Sequence, residues 1–291
     1  MSEFGNKIAK ADIDLVDETF DASQSGSYHL SIQTDAGRLS FCIFNTVINK
    51  YIVLRSYPFL NRDLRVLPEE CGSIFEHDDL LGLRYKSSGH LWVSSRSTLI
   101  PAHLFDPDEA DTCLTFNHGA ATGEHTLYQY LKRANLYHVF SYPETLMDLL
   151  KKRQPDIRLY HHAEPFIGSV MTRMSSSEKN LAVYLYANQL DILVVENNKL
   201  LFYNSFRINA SEDSVYYLAG VSNLFNINLL STKLIYFGDL KHHPSQPAIL
   251  GKYAGSIIES EPPNAVMYSY LITESLRKRF INLFSLYGCE S

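Results

Sequence analysis

The amino-acid sequence predicts an α/β protein of two lobes, each built from a three-strand antiparallel meander followed by helices and parallel strands. Three observations predict this architecture. The composition is that of a globular chain, two separate segments repeat one order of apolar patterns, and both segments end in closely similar text. With 45% hydrophobic and 20% charged residues over 291 positions, the chain can bury a sizeable core.

The first lobe is predicted over residues 26–172. Residues 1–25, which are mostly polar, are predicted to be a flexible lead-in that holds one strand at most. The lobe opens with a meander in which apolar residues alternate with polar or small ones, as on strands with one buried face. The turn Asp35-Ala36-Gly37-Arg38 joins the first two strands, and residues 51–59 supply the third. The alternating apolar positions are Leu30, Ile32, Leu39, Phe41 and Ile43.

The second lobe is predicted over residues 173–291, where the same meander returns. Its first two strands are separated near Asn188-Gln189, and Asn197-Asn198 forms the turn into the third. The order and the lengths of the strands match those of the first meander. The apolar positions are Leu181, Val183, Leu185, Leu190, Ile192, Val194, Leu200, Phe202 and Phe206.

The segments after the two meanders also match, because a helix, a strand, a second helix and a second strand are predicted in the same order. Each series ends in similar text, Ala163-Glu164-Pro165 and Ser260-Glu261-Pro262. Glu164 and Glu261 are separated by as many residues as Val139 and Tyr236. An internal duplication is therefore predicted. The four pairs of segments are residues 126–134 and 214–225, 137–140 and 234–237, 144–152 and 246–253, and 157–160 and 256–258.

The lobes are unequal in length and in their ends. Residues 60–120 are predicted to be an insertion in the first lobe, with a short helix near residues 78–83 and a strand near residues 90–95. Residues 265–287 are predicted to be one long closing helix of about 35 Å. Its apolar stripe has a spacing of three or four residues and consists of Tyr268, Ile272, Leu276, Phe280, Leu283 and Tyr287.

Charge and cysteine usage narrow the function classes. A formal charge of −6 and a pI near 6.0 disfavour nucleic acid as the main partner, because phosphate contacts need clustered Lys and Arg. The four cysteines are far apart and form no Cys-x-x-Cys pair, which favours a reducing compartment. Neither a signal-peptide pattern nor an apolar run of transmembrane length is present, so the expected location is the cytoplasm.

The element order resembles the actin-like ATPase (ribonuclease H-like) fold over residues 28–287. The sequence looks closest to an uncharacterised family of Bacteroidetes proteins with a degenerate, duplicated form of this fold. It is more remotely similar to the pilus-assembly and cell-division actin homologues of bacteria. The resemblance rests on element order and on Leu30-Ser31-Ile32-Gln33, Phe41-Cys42-Ile43, Ser97-Thr98-Leu99-Ile100-Pro101 and Leu104-Phe105.

The resemblance implies where a nucleotide would bind, since active members hold its phosphates between two hairpins with an Asp-x-Gly pattern. Asp35 and Gly37 match this pattern in the first lobe, where they are also ordinary turn residues. The corresponding residues 186–190 contain neither Asp nor Gly. The adenosine motif would end in a Gly-Gly turn, but Gly238 is followed by Asp239, whose side chain would crowd a purine.

Two histidine doublets, His161-His162 and His242-His243, are candidate metal ligands by residue type. Adjacent residues of a strand point to opposite faces, so an extended doublet cannot supply two ligands to one face. Glu164 or Asp239 would have to complete such a site. No metal ligand is therefore predicted, and the histidines are interpreted as surface or hydrogen-bonded residues.

The preferred function is a non-catalytic interaction or scaffold module that holds a protein partner at the interlobe cleft or at a sheet edge. No catalytic residue and no cofactor are expected on this interpretation. The alternative is a nucleotide-binding ATPase or small-molecule kinase that uses ATP and magnesium, with Asp35, Gly37, Gly238 and Asp239 as its candidate binding residues.

Overall fold

In the part of the chain that the structure describes, the fold is mixed α/β with three β-sheets and short connecting helices. The computed structural model describes residues 10–61, 63, 65–173, 179–186, 188–238, 244–262 and 265–290. None of the helices in these ranges has the length and apolar character needed to cross a bilayer. The helices are α1 (Leu67–His77), α2 (Ala110–His118), α3 (Glu144–Arg153), α4 (Ala163–Arg173), α5 (Asp213–Leu224), α6 (Gln246–Leu250), α7 (Glu274–Arg279) and α8 (Ile281–Ser285).

The first sheet has seven strands around the predicted first meander. Its order is β1-β4-β3-β2-β5-β9, and β15 pairs additionally with β4. The meander strands are antiparallel, whereas β5 is parallel to β2 and β9 is parallel to β5. The strands are β1 (Ile13–Val16), β2 (Tyr28–Thr34), β3 (Arg38–Asn45), β4 (Lys50–Pro58), β5 (Ser87–Trp92), β9 (Arg158–His161) and β15 (Met267–Tyr268).

The second sheet has five strands in the order β12-β11-β10-β13-β14. Its meander is again antiparallel, with β13 parallel to β10 and β14 parallel to β13. The two sheets therefore share one strand order, in which two parallel strands extend the sheet beyond the first meander strand. Duplication as the origin of this likeness stays a prediction. The strands are β10 (Asn180–Tyr186), β11 (Gln189–Glu196), β12 (Lys199–Arg207), β13 (Lys233–Gly238) and β14 (Ser256–Glu259).

A third sheet of three antiparallel strands takes the place of the helix predicted at residues 126–134 and includes the strand predicted at residues 137–140. It has the order β6-β8-β7 and consists of β6 (Ser97–Pro101), β7 (Glu124–Leu131) and β8 (Leu136–Pro143). The helix predicted at residues 126–134 is therefore wrong. Leu127 and Leu131 have helical spacing, but they also alternate with the exposed residues Tyr128 and Tyr130, as in a strand with one buried face. The segment forms a strand because its residue types favour β-structure.

The correspondence between residues 137–140 and residues 234–237 is also wrong. β8, which contains residues 137–140, belongs to the third sheet. The counterpart of β13 in the first sheet is β5, because each is the parallel neighbour of the first meander strand. The elements of the first lobe without a counterpart in the second lie between β5 and α3. The bounds predicted for the insertion, residues 60–120, therefore differ from those in the structure. The helix predicted near residues 78–83 occurs earlier, as α1.

Both ends of the chain extend the first sheet. β1 pairs with the outer side of β4 and is the one strand that the predicted lead-in allowed. The single closing helix is wrong, because β15, α7, α8 and a 3₁₀ turn (Leu286–Glu290) take its place. Thr273 caps α7 by accepting from the amide of Leu276, which starts a new helix inside the predicted one. The predicted stripe is nevertheless buried against the first sheet as one apolar cluster.

Two of the imidazoles in the first sheet lie on the neighbouring strands β2 and β5. The His90 ring on β5 has its nitrogens 2.9 Å from the Thr34 hydroxyl and 2.7 Å from the Tyr142 hydroxyl. The His29 ring on β2 lies between Ser87 and Ser31. Burial lowers the pKa of both histidines to about 3, with a further contribution from Arg158 at His29. Both rings therefore stay neutral in the folded protein at pH 7.

We expect the free energy of unfolding to fall as the pH is lowered from about 6.5 towards 3. In this range the unfolded chain binds a proton at each histidine and the folded chain does not, so acid favours unfolding by about 1.4 kcal/mol per pH unit per histidine. Urea unfolding at several pH values measures the slope. His90→Gln should lower it by one proton's contribution. An unaltered slope in His90→Gln would contradict the assignment.

Candidate functional site

Asp35 lies in the turn between β2 and β3, and its carboxyl group is used within the turn. One of its oxygens accepts hydrogen bonds from the backbone amides of Gly37 at 2.5 Å and Arg38 at 3.1 Å. This is the local bonding by which Asp stabilises turns. Burial raises the pKa of Asp35, and these hydrogen bonds oppose the rise.

The second oxygen of Asp35 is occupied by the other lobe. The hydroxyl of Tyr186, at the end of β10, donates a hydrogen bond to it. The side-chain amide of Gln33 donates to the same hydroxyl at 3.2 Å. Tyr186 opens the hairpin between β10 and β11, so the two hairpins that would face each other across a nucleotide contact one another through side chains. Ala187 lies outside the described residues.

Gly238 is the last residue of β13 and lies opposite Leu185 of β10 in the parallel register. Its φ is 134°, and a Cβ placed on it would lie 2.3 Å from the carbonyl oxygen of Leu185. The glycine is therefore required by the close approach of two backbones. Asp239 and the His242-His243 doublet lie outside the described residues. Three of the four candidate residues are thus located, and Gly238 lies opposite Leu185, the residue before Tyr186.

A cavity of about 310 Å³ opens beside Gly238, at the carboxyl ends of β13 and β14 and against α7. Lys278 on its wall is already paired, since its ammonium lies 2.8 Å from a Glu274 oxygen and 2.9 Å from a Glu259 oxygen. These two carboxylates hold the pKa of Lys278 above its usual value. The remaining lining residues are Tyr236, Phe237, Ser260, Ser275, Arg279 and Ile281.

A second group of polar side chains, which sequence analysis missed, links the lobes inside the protein. We call it the interlobe cluster, and it consists of His162, Gln189, Asp191, Tyr203 and Ser205. The His162 ring nitrogen Nε2 lies 2.7 Å from Oδ2 of Asp191, and the Tyr203 hydroxyl donates to the same oxygen at 3.2 Å. The Gln189 amide at 3.0 Å and the Ser205 hydroxyl donate to Oδ1.

The tautomer of His162 is fixed by its other contact. The backbone amide of Ser94 donates to Nδ1 of His162 at 3.4 Å, so the proton lies on Nε2 and is donated to Asp191. Ser205 bonds the carboxyl group rather than the imidazole. The order of contacts is therefore not that of a Ser-His-Asp nucleophile, and the buried positions of His162 and Asp191 keep solvent from both groups.

The argument from alternating strand faces does not apply to the His161-His162 doublet, because the doublet does not lie within one strand. β9 ends at His161, so His162 belongs to the turn into α4, and the two ring centroids lie 4.3 Å apart. Nε2 of His161 donates to the carbonyl of Ser94 at 2.8 Å, while its Nδ1 accepts from the amide of Ala163. Burial lowers the pKa of His161 well below its usual value.

Glu164, the residue that could complete a metal site with this doublet, is buried at the start of α4. It accepts from the backbone amide of His161 at 3.2 Å and lies 3.6 Å from the His138 ring. Burial raises its pKa. Within the described residues, no group of three or more His, Cys, Asp or Glu side chains has an arrangement that could hold a metal ion.

The only pattern that could have pointed to the interlobe cluster is a polar residue at a buried strand position. Asp191 lies on the face of β11 that it shares with the buried apolar residues Leu193 and Val195. A buried carboxyl group needs several hydrogen-bond donors, and such a signal predicts partners without naming them. Gln189 shares the strand face of Asp191 by its spacing of two, but the other partners come from β12 and from the turn after β9, which sequence spacing does not bring together.

The family model described as Protein of unknown function (DUF3822) matches residues 17–257. A comparison with curated proteins found no significant match. Among solved structures, the chain is similar to a protein of Bacteroides thetaiotaomicron VPI-5482 described as having an actin-like ATPase fold and unknown function. The identity is 23% and the TM-score 0.81, over 93% of this chain and 99% of that one.

A second similar structure is the PilM-PilN type IV pilus biogenesis complex. The identity is 12% and the TM-score 0.59, over 90% of this chain and 99% of that one. At these identities the likenesses establish the fold. The predicted actin-like ATPase fold is confirmed.

Proposed function

The chain belongs to the family described as Protein of unknown function (DUF3822), and we propose that it acts as a non-catalytic protein-interaction or scaffold module. The partner would be a protein held at the interlobe cleft or at a sheet edge. Neither nucleic acid nor a nucleotide cofactor is part of this proposal.

The contact between Asp35 and Tyr186 is the observation that carries the proposal. The actin-like fold places nucleotide phosphates between the two hairpins, and in this chain a tyrosine hydroxyl from the second hairpin bonds the aspartate of the first. The other Asp35 oxygen is engaged by Gly37 and Arg38. A phosphate would have to displace these hydrogen bonds within a buried site, which costs the desolvation of every group left unpaired.

Partner binding is supported by the similar PilM structure, which was solved in complex with PilN. It is also supported by the interlobe cluster, because a scaffold benefits from a fixed arrangement of its lobes. Four donors converge on Asp191 at the junction, and Asn282 of α8 donates to the carbonyl of His162 at 3.0 Å. These hydrogen bonds oppose the opening motion by which nucleotide enzymes admit their ligand.

We expect millimolar ATP with magnesium to leave the melting temperature of the protein unchanged. A ligand at 100 times its Kd would add about 2.7 kcal/mol to the free energy of unfolding. In a protein of this size that corresponds to an increase of about 4 to 5 °C, which differential scanning fluorimetry detects readily. Stabilisation that is lost in Asp35→Ala but kept in the exposed variant Asp148→Ala would overturn the proposal.

That result would favour the alternative, a nucleotide-binding ATPase or small-molecule kinase. One observation supports this alternative, the cavity of about 310 Å³ beside Gly238. Its lysine is paired with Glu274 and Glu259, so an anionic ligand would have to compete with two carboxylates. For this reason the interaction module is the function that the geometry supports better.

A further inference from the structure

β7 is an unusual terminal strand. It forms one side of the third sheet, and within the described residues no strand pairs with its outer edge. It has eight residues and a regular register with β8. The other terminal strands have features that limit edge pairing. β1, β9, β14 and β15 are short, β6 ends in Pro101, and the pairing of β12 with β11 has an irregularity between Val194 and Val195.

The backbone groups at this edge can be assigned from the pairing. The amide of Glu144 donates to the carbonyl of Gly123, so odd-numbered residues of β7 exchange hydrogen bonds with β8. Thr126, Tyr128 and Tyr130 therefore direct their N–H and C=O groups to the open side. An added strand would find three donors and three acceptors in register there.

The side chains of the same residues lie on the outward face of the sheet. Tyr128 is 48% exposed and Tyr130 is 45% exposed. Phe105 stacks on Tyr137 with ring centroids 3.9 Å apart and lies 5.0 Å from the Tyr128 ring, so the aromatic rings form a continuous surface beside the edge. We call it the β7 edge surface, and it consists of Phe105, Thr126, Tyr128, Tyr130 and Tyr137.

The opposite face of the sheet is fully used inside the protein. Phe140 and Tyr142 of β8 belong to the apolar core of the first lobe, and Leu127 packs against it. Leu99 and Leu131 pack against the cluster that includes β10 and β11 residues. The sheet is therefore fixed to both lobes. Ala110 and Leu114 of α2 cover the middle of its outward face by packing on Val139, so the outer edge and the exposed parts of Tyr128 and Tyr130 are what the sheet offers to a partner.

The charge around the β7 edge surface is one-sided. Residues 97–131 contain no Lys and no Arg, and their carboxylates are Asp106, Asp108, Glu109, Asp111 and Glu124. Asp111 accepts from the Thr126 hydroxyl at 2.6 Å, and Phe105 touches Tyr128, so the acidic run between them borders the strand. Arg96 pairs with Glu124 at 3.0 Å, and in the described part of the chain no ion pair joins the other four carboxylates to a cation.

We propose that the β7 edge surface binds a cationic peptide segment in extended conformation, as a fourth strand added to β7. Alternate side chains of the peptide would lie on the aromatic rings, where an arginine gains both a stacking contact and the field of the acidic run. Lys132 and Arg133 come directly after Leu131, and they would repel a cationic part of the peptide there. The basic residues of the peptide therefore belong beside Glu124, and its neutral end belongs beside Leu131. This inference rests on the proposed function and specifies its partner.

The test uses fluorescence anisotropy with the full chain and a labelled ten-residue peptide in which arginine alternates with valine. We expect saturable binding that weakens at least about tenfold between about 50 and 300 mM salt. A peptide with glutamate in place of arginine should not bind. Hydrogen exchange followed by mass spectrometry should show slower exchange over residues 124–131 when the arginine peptide is bound.

Two variants with matched controls locate the site. Tyr130→Ala should weaken binding at least fivefold, whereas Tyr253→Ala, at a tyrosine that is 49% exposed in the second lobe, should not. The triple variant D106N/D108N/E109Q should weaken binding at least tenfold, and D148N/D156N/E212Q, at exposed carboxylates elsewhere, should change it less than twofold. All these positions are exposed, so the variants are expected to fold.

Several outcomes would overturn the docking site. They are failure of the arginine peptide to bind at 1 mM, equal binding of the glutamate peptide, and unchanged binding by both site variants. Self-association through β7 would also overturn it, and sedimentation velocity would reveal a dimer that Tyr130→Ala dissociates. Any of these results leaves the cleft open as a partner site, whereas stabilisation by ATP and magnesium overturns the proposed function itself.

Discussion

Gly238→Ala is expected to lower the free energy of unfolding by at least about 3 kcal/mol without any nucleotide present. The added Cβ would lie 2.3 Å from the carbonyl oxygen of Leu185 and 3.3 Å from its nitrogen and carbonyl carbon. It would also hold an alanine at a φ of 134°, which side chains rarely adopt. β10 is the central strand of the second sheet, so it cannot move away without breaking its pairing with β11 and β13.

Urea unfolding followed by tyrosine fluorescence or circular dichroism measures this loss. Gly220→Ala is the matched control, since Gly220 lies in α5 and a Cβ there meets nothing within 4 Å. That substitution should raise the free energy of unfolding by about 0.5 to 1 kcal/mol, because alanine is the better helix former. A Gly238→Ala protein of normal stability that differed only in ATP binding would mean that the glycine serves a purine.

The sequence pattern identifies Gly238 as a residue that must be glycine, but the structural reason differs from the one that the pattern suggests. The strand and the glycine at its end are recognisable from the adenosine motif, but the cause of the glycine is contact with Leu185. Asp35 is similar, because its turn is predictable and its bond to Tyr186 is not. A hydrogen bond between residues 151 positions apart depends on how two lobes meet, which local patterns do not encode.

The fold itself is largely predictable, because both meanders alternate with a clear period of two and carry turn residues at their hairpins. The errors fall where two periods coexist. Leu127 and Leu131 suit a helix or a strand, and the apolar stripe from Tyr268 to Tyr287 is compatible with one helix or with several short elements on the same core. Tertiary contacts decide such cases, since propensity differences between the alternatives are small.

Asp191→Ala is expected to cost about 3 to 5 kcal/mol of the free energy of unfolding, the largest effect of any polar substitution proposed for this chain. Removal of the carboxyl group leaves the donors of His162, Gln189, Tyr203 and Ser205 without their acceptor at the junction of the lobes. Water cannot replace it readily, because His162 and Asp191 are almost completely buried.

Asp191→Asn separates the role of the carboxyl group as an acceptor from its packing. The amide keeps one oxygen, which can accept hydrogen bonds from two of the donors. Nε2 of His162 could accept from the new N–H group only if the imidazole proton moved to Nδ1. That move is opposed because Nδ1 accepts from the backbone amide of Ser94. We therefore expect an intermediate loss of about 1 to 2 kcal/mol. Asp148→Ala, at an exposed site of α3, should change the free energy by less than about 0.5 kcal/mol.

The Asp191 variants also test whether the interlobe cluster fixes the lobes rather than only the second sheet. If it does, hydrogen exchange in Asp191→Ala should rise both in β11 and β12 and in the turn from His161 to Ala163, since His162 is the partner contributed by the first lobe. Faster exchange in the second sheet alone would show that the lobes are held by other contacts, such as Tyr186 on Asp35. The cleft between the lobes would then be adjustable, and that result would contradict the idea of a scaffold with fixed geometry.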